Sequence, residues 1–296
     1  MDFGIQQIVS GLAIGGSYSL VALGFVLTFG VLNILNIAHV QTIMIAPIAL
    51  ALLIAGGLAP GLAMPLSLVI TVAFGGVVFV VGLRPFLAHF RPTSNLASFI
   101  ASFGISLFVE NLVGAQLGSD PRSFPIPMPE GLWRIGGIEV VPIDCITLAV
   151  VVIVLVALAL VVNRTNFGRA MRAVAENADV AAAQGISVER TILLTVLSAS
   201  LLGGISGLLF AAESYSESPF MGFDYGLKGL VAMIVGGVTS PAGAVLAGLL
   251  LGLAEAATEA YLSSTFRDVI TFGLLFAVLI LRPQGLFVGT TKGVRP

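Results

Sequence analysis

NRTNFGRAMRAVAENADVAAAQGISVER, residues 163–190, lies between VLVALALVV at 154–162 and TILLTVLSASLLGG at 191–204. The flanks are apolar enough to sit in lipid. The centre is polar and helix-forming, and it carries Arg164, Arg169, Arg172 and Arg190, four of the chain's thirteen Lys and Arg. A structured polar segment between two membrane spans is costly to keep unless something outside the bilayer grips it. The stretch therefore points to a membrane protein that is driven from the cytoplasm by a soluble partner.

Composition agrees. The 296 residues are 57% hydrophobic and 9% charged, with mean hydropathy +1.09, whereas soluble domains carry about 25% charged residues. So few charges cannot cover the surface of a soluble protein of this size. The apolar runs are continuous and do not alternate, which excludes a transmembrane β-barrel. A single Cys145 excludes an internal disulfide and a cysteine metal cluster. The start MDFGIQQIVS lacks the basic residues of a cleavable signal peptide, so the first span is expected to be retained. The net charge of −2 carries no nucleic-acid signal.

Runs of about 20 apolar residues can each cross the hydrocarbon core as a helix. They fall at Ile8–Val31, Ile34–Ile54, Leu66–Leu83, Leu96–Leu117, Ile143–Val162, Thr191–Ala212, Val245–Tyr261 and Val269–Leu281. Leu227–Val238 is shorter, and reads as either a short span or a re-entrant half-helix. The expected fold is one all-α polytopic membrane domain over residues 1–296, with about eight to nine transmembrane helices. Its polar loops are 118–142 and 213–226 on one side and 163–190 on the other. Arg84, Arg91, Arg164, Arg169, Arg172, Arg190, Arg282, Lys292 and Arg295 gather on one side if the short segment crosses. Asp120, Glu130, Glu139, Asp144, Glu213, Glu217 and Asp224 gather on the other. Excess Lys and Arg mark cytoplasmic loops. The N-terminus is therefore expected outside and the C-terminus inside.

Within the polar island, Asn166 is the expected N-cap, and Arg169–Gln184 the expected helix, free of Gly and Pro and rich in Ala. Gly185 suits the position just past its end. Glu176 and Asp179, three residues apart, would share one face. Its many alanines bury little area in lipid but suit close docking into a protein groove, against the simpler reading of a surface-lying amphipathic helix.

Several stretches, in order and spacing, resemble the permease subunits of bacterial branched-chain amino acid (LivH-type) ABC importers. They are GLAIGGSYSLVALGFVLTFGVLNILNIAH at Gly11–His39, GLRPF at Gly82–Phe86, IASFGISLFVEN at Ile100–Asn111 and GRAMRAVAENADVAAAQGI at Gly168–Ile186, with GGVTSPAGAVLAGLLLGLAE at Gly236–Glu255 and RPQGLF at Arg282–Phe287. The resemblance implies a multi-pass protein of the bacterial inner membrane. It also implies a second permease subunit, two cytoplasmic ATPases that bind ATP and Mg, and an external solute-binding protein. The 169–185 segment would then be the coupling helix, meeting an ATPase through Arg169, Arg172, Glu176, Asp179, Ala182 and Gly185. Asp179, Ala181 and Gly185 fit the importers' signature, but its later proline is missing. The chain has no GxxxxGK[ST] phosphate loop, so no cofactor is expected on it, and ATP hydrolysis is expected on other polypeptides.

Candidate pathway residues come from two kinds of signal. Glu110 is an ionisable group inside a span, where such groups mark function or partnered packing; beside it stands Asn111. Val40 and Gln41 stand where the family that the chain resembles commonly has a Gly and an acidic residue after NxAH. GGVTSPAGA interrupts a membrane segment, and irregular backbone at that depth belongs beside protein or a cavity; it contributes Thr239 and Ser240. Asn36 reads as a turn or cap, and His39 as no metal ligand. Glu255 and Glu259, one turn apart near the outer face, read as pathway lining or, more simply, as a solvated rim. Glycines of the first and sixth spans (Gly11, Gly15, Gly16, Gly24 and Gly30; Gly203, Gly204 and Gly207) read as helix-packing positions. The alternative class is an ion-coupled secondary transporter, which would work without ATPases. It usually shows internal repeats, and none is evident. A non-transporting scaffold is a third reading, disfavoured by the broken helix and the buried carboxyl.

Overall fold

The computed structural model describes residues 2–87, 92–129, 131–135 and 138–287. Arg91, Glu130, Lys292 and Arg295 lie outside the described residues. Eight of the described helices are long and apolar enough to cross a membrane. The chain runs α1 (Asp2–Leu32), α2 (Val40–Ala55), α3 (Pro60–Val78), α4 (Arg84–Leu87), α5 (Pro92–Leu117) and α6 (Pro142–Arg164). It continues with α7 (Asn166–Glu176), α8 (Ala178–Ala183), α9 (Val188–Glu213), α10 (Met221–Gly236), α11 (Pro241–Tyr261) and α12 (Arg267–Leu281).

The central pair is α1 against α11, crossing antiparallel along a stripe of small residues. Gly11 and Gly15 leave no room for a methyl at Gly252, and Ser19 leaves none at Gly248. Small residues let membrane helices approach closely where lipid supplies no hydrophobic drive. Gly203 and Gly207 of α9 press likewise on Thr42 and Ile43 of α2. Gly30 packs on nothing, contrary to its expected role. Around this pair, Tyr18, Phe25, Ile43, Met44, Phe210 and Leu251 form the largest buried cluster.

The second span does not begin at Ile34 as the apolar pattern predicts. Asn33 takes a left-handed conformation (φ 51°) and ends α1, which Asn tolerates better than most residues. The chain then turns back along α1, and a 3₁₀ turn at Ile37–His39 precedes α2. His39 packs edge-on to Phe25, its ring 4.8 Å away, and Nε2 lies 3.4 Å from the Val21 carbonyl oxygen. Asn36 does cap this turn, as expected, its carbonyl accepting from the His39 N–H, but it and His39 are buried beside the body of α1.

The short segment is also longer than expected. α10 starts at Met221, inside the predicted 213–226 loop, and takes in Asp224 and Lys228. Its sixteen residues span about 24 Å, short of the ~30 Å hydrocarbon core. It starts just past β4 (Ser216–Glu217) and ends where Leu286 N–H donates to the Val235 carbonyl, beyond α12. The start of α1 and the end of α12 consequently lie on opposite faces of the bundle. Arg84, Arg164, Arg169, Arg172, Arg190 and Arg282 share the face that carries α7 and α8.

The 118–142 loop holds strands. β1 (Arg122–Ser123) pairs antiparallel with β4, placing Arg122 opposite Glu217, and β2 (Trp133–Ile135) pairs with β3 (Ile138–Val140). Burial pushes the Glu217 carboxyl up to about 7, against the pull of Arg122. A raised acid pKa stabilises most below the unfolded value, and its contribution is lost as pH rises through the folded one. The β1–β4 pairing is therefore expected to weaken as pH rises from the ordinary carboxylate range to about 7, and to change little above it.

Candidate functional site

Buried polar groups gather at several places in the bundle, and two of these clusters hold residues that the sequence singles out. In the first, α5 carries Ser98, Ser102 and Ser106, all fully buried, and Glu110 one turn further on. The four-residue spacing places them on one helical face, turned toward the irregular segment before α2. Ser102 Oγ accepts from the Ile37 N–H at 3.2 Å. The Gln41 amide donates to Ser106 Oγ at 2.9 Å and to Glu110 Oε2 at 3.1 Å. Gln41 Oε1 and Asn36 Oδ1 are buried and have no hydrogen-bond partner among the described residues. A buried unpaired polar atom costs about 1–3 kcal/mol. This seam therefore holds polar capacity that the subunit itself does not use.

Of the predicted pathway residues, the structure brings Gln41 and Glu110 together. Asn111 lies on the exposed flank of α5, donating to the Leu107 carbonyl. Thr239 and Ser240 lie apart, in the tight α10–α11 turn, where Ser240 Oγ accepts from the Gly243 N–H and caps α11.

The second cluster overturns the rim reading of Glu255. This carboxylate is 1% exposed and accepts from Tyr18 Oη at 2.8 Å and Thr271 Oγ1 at 2.7 Å. Lys228 Nζ sits 2.9 Å from Glu255 and 3.0 Å from Asp268, and 5.9 Å above the centre of the Tyr18 ring. Four helices, α1, α10, α11 and α12, thus meet at one ion pair inside the bundle. Glu259 does stay at the rim, paired with Arg267. Tyr18 and Arg267 also line a cavity of about 370 Å³, with Asp144, Glu213, Tyr215 and Tyr225 around it.

The polar island departs from the predicted single helix. Asn177 takes an extended conformation, ends α7 and caps α8, its Oδ1 accepting from the Asp179 and Val180 N–H groups at 3.0 Å. The N-cap of α7 is Thr165, not Asn166. Glu176 and Asp179 therefore sit on two helices and share no face. Gly185 does close α8, with φ 84°; its N–H bonds the Ala182 carbonyl, and that of Ile186 the Ala181 carbonyl, a Schellman ending.

Met171, Val174 and Ala181 are buried against the bundle, so the apolar side of α7 docks on protein and not on lipid. Arg169, Arg172, Glu176, Asp179, Ala182 and Gly185 are all exposed. Arg172 turns back to donate to the Val162 carbonyl, and Arg169 bonds Asn166. Glu176 and Asp179 make no ion pair among the described residues.

Eight apolar crossings, a polar seam at membrane depth and a docked polar element on one face define an all-helical, multi-pass membrane protein. The model of a family described as branched-chain amino acid transport system / permease component matches residues 7–279, and the chain belongs to that family. It is 31% identical to the high-affinity branched-chain amino acid transport system permease protein LivH of Escherichia coli, across 95% of this chain and 94% of that one. It is 32% identical to the permease protein BraD of Pseudomonas aeruginosa, across 95% of each chain. A probable LivH of Methanocaldococcus jannaschii is 31% identical, across 96% of this chain and 93% of that one.

Proposed function

We propose that this chain is a membrane-spanning half of an ATP-driven importer of a small amino-acid-like solute in the bacterial inner membrane. A branched-chain amino acid is the default substrate, because the relatives that match along their whole length carry that name. The single observation that carries the reading is the α7–α8 element. Its Met171, Val174 and Ala181 are spent on the bundle, and Val180, Ala182 and its acidic residues face outward on the basic side. That side is the cytoplasmic one by the excess of Arg, which puts the N-terminus outside. ATP and Mg would be held by two ATPases docked there. An external binding protein would meet the opposite face, and a second permease subunit, of this chain or a similar one, would complete the path. The 118–142 and 213–220 segments form that outer face.

The path within this chain follows the Ser98–Glu110 face of α5 and Gln41, where polar capacity is left unused; Asn111 adjoins it. Ser240 caps α11, and Thr239 stands beside it in the same turn, apart from this face.

Vesicles containing the purified chain alone should neither hydrolyse ATP nor accumulate branched-chain amino acid. Adding the second subunit, the ATPases and the loaded binding protein should give uptake that stops when ATP is replaced by a non-hydrolysable analogue. Uptake by the chain alone, driven by a proton or sodium gradient, would show a secondary transporter instead. Glu110→Gln should leave complex yield unchanged and shift the KM of uptake about tenfold, the size of one charge-assisted hydrogen bond. Unaltered yield and unaltered kinetics together would remove Glu110 from the path.

A further inference from the structure

α6 and α11 each pack on α1 but hardly touch one another. Between them runs a groove of about 520 Å³, floored by Leu23 and Leu27 and walled by Leu158, Val162, Val245 and Leu246. Leu246 is 45% exposed, so the groove opens sideways into the membrane. Asn163 is the polar residue of its lining, and it marks the end nearest α7. There the Arg172 guanidinium bonds the carbonyl of Val162, a lining residue, at 2.5 Å. The positive end of the 21-residue α11 helix, at Pro241 and Ala242, borders the same end.

We propose that this groove binds one phospholipid, an acyl chain lying along Leu158 and Val245 and an anionic headgroup phosphate held between Asn163, Arg172 and the start of α11. Lipid tails are as apolar as Leu, so the apolar wall alone would not distinguish this groove from the rest of the lipid-facing surface. The polar, cationic end does, because basic pockets between membrane helices select anionic headgroups. The occupant lies beside the residue that ties α7 to α6, which makes it a structural lipid of the coupling side.

The test uses the complete transporter in vesicles of equal phosphatidylglycerol and phosphatidylcholine, with a photo-crosslinking amino acid at Leu246 or at Ile153, an exposed α6 position facing away from the groove. Phospholipid adducts should be enriched about tenfold at Leu246 over Ile153 and consist mainly of phosphatidylglycerol. Arg172→Gln should equalise the two lipids at Leu246. Val245→Trp should deplete both there; if that variant does not assemble, Leu158→Phe takes its place. Equal adducts at Leu246 and Ile153 would overturn the proposal, as would a polypeptide adduct at Leu246. Phosphatidylglycerol preference persisting in Arg172→Gln would overturn the headgroup assignment.

Discussion

Lys228→Met should cost about 3–5 kcal/mol, the range for breaking a buried ion pair from one side, and is expected to abolish recovery of folded protein. Glu255, 1% exposed, would keep two hydroxyl donors from Tyr18 and Thr271 but lose the Lys228 ammonium 2.9 Å away. An intramembrane charge without its partner is among the most expensive groups a bundle can hold. The loss compares with a typical total stability of about 5–15 kcal/mol. Lys228→Met combined with Glu255→Gln removes both charges and keeps an acceptor for the two hydroxyls, and Asp268 is already at the surface. This double variant should recover most of the yield and thermal midpoint measured by fluorescence-detected size exclusion. A double variant no better than the single one would mean that Lys228 acts by packing and not by pairing.

The second large effect is expected at Ala182. It is exposed at the end of α8, one turn from Gly185, whose positive φ fixes the exit of the chain. Overpacking one misfit side chain into an interface costs about 1–3 kcal/mol, and a coupling contact that also transmits motion has little to spare. Ala182→Trp should leave this subunit folded, because Ala182 faces away from the bundle. It should release the ATPases or uncouple them, so that loaded binding protein no longer stimulates ATP hydrolysis. Glu176→Lys and Asp179→Lys should act in the same direction by reversing unpaired charge on that surface.

Much of this is legible in the sequence because lipid imposes a simple pattern. Eight continuous apolar runs can be counted directly, and Gly185 announces the end of α8. Other features are set by tertiary contact. Lys228 and Glu255 lie on different helices with nothing local to link them, so Glu255 pairs by eye with Glu259, one turn away. The Asn33–His39 segment reads as the start of a span because its Leu and Ile are as apolar as any helix; only Asn33 and Asn36 hint at the break. Asn177 looks like one more polar residue in an alanine-rich helix, yet its capping side chain splits α7 from α8. One missed signal was readable. Ser98, Ser102, Ser106 and Glu110 recur every four residues, a polar face on an otherwise apolar helix, of which only Glu110 is charged.

The central claim is that α7 and α8 are where the ATPases grip this chain. It is tested most directly by a cysteine placed at Ala182, with Cys145 replaced by Ser, and a short bifunctional crosslinker applied to the assembled complex in its membrane. The account predicts a crosslink from position 182 to an ATPase subunit whose yield changes when ATP is bound. A control cysteine at exposed Arg134, on the opposite face, should give none. A crosslink to lipid alone at position 182, or to the external binding protein, would contradict it.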